Sequence, residues 1–140
     1  MEIDLALLAD AATVDAAGKL NILGIFDRIS ARSFPVRHPR LALVLRFRAT
    51  MNEAGDHAVK ILLSDPDGKE VLPVNGTIKI GLGHPAAGGL VRVPQVINLD
   101  GVPFEKPGRY AFDVSVDGDH KVSVPLYLHD ADTKASVAQA

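Results

Sequence analysis

The residues able to do chemistry are scattered. Five histidines, His38, His57, His84, His120 and His129, could supply a metal, but none stands two or four residues from another as chelation along one strand or helix wants. No native metal site is expected. Serines 30, 33, 64, 115, 123 and 136 lie in no Gly-x-Ser-x-Gly elbow, so no nucleophile is assigned. Asp113, Ser115 and Asp117 alternate along one strand with Asp119 nearby, a pattern that could do acid/base work or hold calcium. Asp117 and Asp119 bracket Gly118, however, and a tight hairpin asks for those residues on its own account. The stretch "AAGKL" invites comparison with a phosphate-binding loop. Thr13 stands at the first glycine position and Leu20 at the hydroxyl position, so a turn before a strand is the better reading.

Two features remain as contact chemistry. Arg46 and Arg48 share one face of a strand, with Arg40 at its start and Arg28 as a candidate neighbour; such a row could dock an anionic ligand or an acidic partner, or protect an edge. The loop Gly81 to Gly89, "GLGHPAAGG" with His84, is the natural place for a small-ligand or catalytic site at one end of the molecule.

Composition narrows the classes further. The 140 residues are one domain's worth and contain no cysteine, which removes disulfides, thiolate metal sites and thiol nucleophiles. Glu2 and Asp4 stand where a signal peptide wants basic residues, and no apolar run approaches a membrane span; a cytoplasmic protein that binds no membrane is expected. The net charge of −2 and aromatic content of 5% offer nothing to nucleic acid in bulk, so none is expected as a partner.

Alternation with period two recurs from end to end, and no stretch of twelve carries a helical stripe. Eight strands are read, at about 2–10, 19–30, 40–50, 57–64, 70–80 and 90–99, then the hairpin "RYAFDVSV", "DGDH", "KVSVPLYL". Pro73 places the fifth at an edge or bulge. The fold class expected is all-β, a single-domain antiparallel Greek-key β-sandwich over residues 1–129, with 130–140 as a loose tail.

The second strand, "KLNILGIFDRI", breaks the rule of one wet face. Leu20, Ile22, Gly24 and Phe26 alternate with Leu23, Ile25 and Ile29, so both faces are apolar. Two accounts stay open. A β-bulge at Gly24 would shift the inward set partway along the strand. Alternatively Leu8, Leu23, Ile25 and Val44 form an outward patch that a partner covers, most simply a second copy in a two-fold homodimer.

The words "LLADAATVDAAGKLNILGIFDRI", "FPVRHPRLALVLRFRA", "INLDGVPFEKPGRYAFDVSVDG" and "SVPLYL" together resemble a family of uncharacterised bacterial proteins, over about residues 2–128. That resemblance implies a bacterial origin and a cytoplasmic setting, with no activity or ligand. "PGRYAFDV" is similar to the tyrosine-corner region of immunoglobulin-like and fibronectin-like sandwiches, with Gly108 two residues before Tyr110. Lys106 stands where immunoglobulin domains place Asp, Phe112 replaces the cysteine, and there is no core tryptophan.

The expected function is a non-enzymatic binding or assembly module, without catalytic residues, metal or cofactor, acting on itself or another protein. Leu23, Ile25 and Val44 are its expected apolar contacts, with Arg46 and Arg48 as the polar part of that surface.

Overall fold

The computed structural model describes residues 1–80 and 89–131. Among them run nine strands: β1 (Glu2–Val14), β2 (Leu20–Phe26), β3 (Arg28–Ala31), β4 (Val36–Thr50), β5 (Gly55–Ser64), β6 (Glu70–Ile80), β7 (Leu90–Phe104), β8 (Gly108–Val116) and β9 (Asp119–Asp130), with one short 3₁₀ turn at Met51–Glu53. The all-β expectation stands, in two sheets ordered β2-β1-β4-β7 and β3-β9-β8-β5-β6.

Two corrections apply. The first sheet is antiparallel throughout, whereas β3 pairs with β9 in parallel, so the second sheet is mixed. The single strand expected over 19–30 is really two, divided at Asp27, whose carbonyl accepts the Tyr127 N–H at 2.8 Å. β2 stays in the first sheet and β3 crosses to the second. The double apolar pattern therefore serves two sheets: Phe26 packs on the core from one and Ile29 from the other.

The core lies between the sheets, and the strands that build it alternate as buried strands must. Leu41, Leu43, Leu45 and Phe47 come from β4, facing Val59, Ile61 and Leu63 of β5. Tyr110, Phe112 and Val114 of β8 pair across the ladder with Leu126, Val124 and Val122 of β9. Phe104 meets the Tyr110 ring edge to face at 5.0 Å. The Tyr110 hydroxyl donates to the Lys106 carbonyl at 2.8 Å, closing the corner that its spacing from Gly108 suggests.

The "AAGKL" stretch closes the β1–β2 hairpin, and the β5–β6 hairpin closes the same way, each over an Asp-x-x-Gly-Lys sequence. Asp15 Oδ1 accepts the N–H of Ala17 and of Lys19 at 2.9 and 3.0 Å. Asp65 Oδ1 accepts those of Asp67 and Lys69 at 2.9 and 2.8 Å. These backbone donors, Lys19 and Lys69 foremost, hold both carboxyls below their ordinary pKa. The resemblance to a phosphate loop is thus turn chemistry, as expected.

Candidate contact surface

β2 is an edge strand, and its outward side chains stay in water. Leu23 is 72% exposed and Ile25 64%. Together with Val14 they are the exposed large apolar residues among those described.

Val44 belongs elsewhere. It is wholly buried, as are Ala9 and Ala42 on the same outer face of the first sheet, so its place in an exposed patch is corrected. The far end of the β1–β2 hairpin also comes over this outer face. Val14 pairs with Leu20, and in a straight hairpin Leu20 would lie about 30 Å beyond Leu5, nine residues at ~3.3 Å each. Yet Gly18, Lys19, Leu20 and Ile22 line one hollow with Leu5, Arg46, Arg92 and Pro94, the last three on the outer face of β4 and β7. The hairpin therefore curls back over its own sheet, bringing β1 close to β7 although β4 stands between them.

The curl begins where the ladder skips Asp10 and Gly24. Gly24 adopts φ +72°, which favours glycine, and the Asp10 carboxylate fills the place a Cβ would take, so a larger residue must displace that side chain. Register is kept across this point, Ala9 opposite Ile25 and Ala11 opposite Leu23, so the bulge expected at Gly24 is absent. The bulge in β1 lies between Ile3 and Leu5. There Asp4 is the extra residue, and its carboxylate reaches the outer face.

On that face Arg46 Nε donates to Asp4 Oδ1 at 2.8 Å and Arg92 Nε to Asp4 Oδ2 at 3.3 Å. Burial pushes the Asp4 carboxyl up, but the bonds and charges of Arg46 and Arg92 outweigh it and leave the pKa below its ordinary value. Arg48 stands opposite Glu2 on one side and Arg92 on the other. The expected contact residues thus separate into two groups. Leu23 and Ile25 face outward on β2, Arg46 and Arg48 lie on β4, and Arg28 is in the other sheet. Asp4 and Arg92 escape a reading of sequence alone, because Arg92 comes diagonal to Arg46 only once β4 and β7 pair.

Other polar clusters are local. His120 Nε2 lies 3.1 Å from Ser123 Oγ and 3.4 Å from Asp113 Oδ1, and Ser123 Oγ also donates to Asp113. A catalytic triad needs the base between serine and carboxylate with a different ring nitrogen for each. Here one nitrogen faces both, so the trio does not form a triad. Among the described residues no three His, Asp or Glu side chains gather to hold a metal ion. Of the loop proposed as a ligand site, residues 81–88 lie outside the described residues, as does most of the expected tail, 132–140. Among the described residues no helix is long and apolar enough to cross a membrane.

A family model described as a family of unknown function (DUF6941) matches residues 4–129. The chain belongs to that family. No curated protein matches it. Among solved structures it is similar to the Pseudomonas fluorescens alkylpurine DNA glycosylase AlkC bound to DNA containing an abasic site analog, at 13% identity and a TM-score of 0.48. The match covers 91% of this chain and 30% of that one, so the chain spans less than a third of that protein's length. With a DNA-bound protein among the matches, the expectation that nucleic acid is no partner is withdrawn. Net charge averages over a surface on which Arg46, Arg48 and Arg92 are concentrated, and the match itself assigns no partner.

Proposed function

We propose that the chain is a non-enzymatic binding module that works through protein–protein contacts made at β2, a second copy being the simplest occupant. The observation that carries this is the exposure of Leu23 and Ile25, 72% and 64%, on an edge strand. Edge strands are usually blunted by charge, proline or a short length. β2 runs seven residues with no charged residue inside it.

Magnitude sets the kind of contact. Burying one such side chain is worth about 1.5–3 kcal/mol, so two from each copy give about 6–12 kcal/mol before association costs of about 4–15 kcal/mol. The reading is therefore a weak, reversible association.

A Greek-key, immunoglobulin-like order is supported by two features. β9, β8 and β5 adjoin as the G, F and C strands of such domains do, and Tyr110 makes its corner bond at the start of the strand that corresponds to F. A bacterial cytoplasm is the setting the family resemblance implies.

Sedimentation velocity across the micromolar range tests the contact. The wild type sediments faster as concentration rises, and the Leu23→Lys, Ile25→Lys double variant stays a monomer with an unchanged melting temperature. Identical sedimentation of the two proteins refutes it.

A further inference from the structure

We infer that the hollow under the hairpin tip is a binding site for a small organic anion, a carboxylate carried on an apolar body. The hollow measures about 490 Å³, within the ~300–1,000 Å³ usual for ligand sites, and is open on one side. Leu5, Leu20, Ile22 and Pro94 supply apolar walls, and Lys19, Arg46 and Arg92 supply the charge.

The two guanidiniums are built in, not merely present. Asp4, its side chain only 17% exposed, takes one bond from each, and both bonds come from Nε. The Nη ends of both arginines have no hydrogen-bond partner among the described residues. Two forks are thereby fixed side by side with their bidentate ends free, the geometry that suits a carboxylate. Three cations against one carboxylate leave two positive charges around the hollow, although the whole chain carries −2. An anion without a body would leave the apolar walls wet, and a neutral apolar molecule would leave the forks unanswered.

This site goes beyond the contact reading and uses different residues. Leu23 and Ile25 take no part in it, so loss of self-association and loss of anion binding are separate results.

The test is an NMR titration of the isotope-labelled full chain with sodium hexanoate, hexan-1-ol and inorganic phosphate. Hexanoate is expected to shift the signals of Leu5, Lys19, Leu20 and Ile22 saturably, with hexanol and phosphate each binding at least about tenfold more weakly. Arg46→Gln with Arg92→Gln weakens hexanoate by about tenfold or more. Lys19→Glu, at an exposed turn where folding is not at stake, weakens it by about fivefold. Absence of saturable shifts, hexanol binding as well as hexanoate, or unchanged affinity in Lys19→Glu overturns the proposal. A single-stranded oligonucleotide that displaces hexanoate and binds more tightly also overturns it, by giving the arginines to a phosphate polymer.

Discussion

Asp117 holds His57 from across the sheet: its Oδ2 lies 2.6 Å from His57 Nδ1, while its Oδ1 accepts the Ala58 N–H at 3.0 Å. The other ring nitrogen, Nε2, lies 2.6 Å from the Glu53 carbonyl oxygen, which can only accept. Both nitrogens must therefore donate, and the ring is an imidazolium when the latch is closed. The bond to Asp117, then that to Glu53, raises the His57 pKa above its ordinary 6.5. His57 in turn lowers that of Asp117.

The signs give a pH window. A raised histidine stabilises fully below its unfolded pKa and stops doing so as pH rises through the folded value; a depressed carboxylate stops as pH falls through its own. Melting temperatures are expected to decline as pH rises above about 6.5 and through the raised His57 value. The His57→Gln variant should melt lower at pH 6 and lose most of that slope. An equal slope in wild type and variant would remove His57 as its source.

Tyr110→Phe tests the corner. The ring stays in place against Phe104, while the bond donated to the Lys106 carbonyl and the longer one accepted from the Lys106 N–H both go. Chemical denaturation should report a loss of about 1 kcal/mol.

The curl in the β1–β2 hairpin predicts an inequality between two glycines. Gly18 and Gly24 both have positive φ, +80° and +72°, so alanine costs about 1 kcal/mol at either. Only at Gly24 does the new Cβ meet the Asp10 side chain. Gly24→Ala should therefore destabilise more than Gly18→Ala by denaturant titration, and adding Asp10→Ala should recover part of the difference.

Val44 and Leu23 form a second unequal pair. Both are apolar and both were candidates for one exposed patch, yet Val44 is wholly buried and Leu23 is 72% exposed. Val44→Ala should cost about 2 kcal/mol, two methyl groups plus the cavity they leave. Leu23→Ala should stay within about 0.5 kcal/mol at a concentration where the chain is monomeric.

The strands whose two faces differ were legible in the sequence. In β5, β8 and β9 the inward residues Val59, Ile61, Tyr110, Phe112, Leu126 and Leu128 follow period two without interruption. The Asp-x-x-Gly-Lys turns were legible too, because their bonds are local. What could not be read was non-local. Ile29 continues the apolar pattern of β2 but works in the other sheet, a change made at Asp27 by a bond to Tyr127, 100 residues distant in sequence. Val44 looks outward by its alternation with Leu43 and Leu45, yet is wholly buried. Asp4 looks like any strand residue until the bulge beside it turns its carboxylate to Arg46 and Arg92.

The curl is the feature on which the anion hollow depends, and the absence of native cysteine makes it measurable. Spin labels on Lys19→Cys and Arg92→Cys read the separation of hairpin tip and β7 by pulsed electron resonance. The account predicts one short distance, under about 20 Å between the labelled backbones, because the two positions line the same hollow. A distance beyond about 30 Å, that of a hairpin extending straight past Leu5, would contradict it.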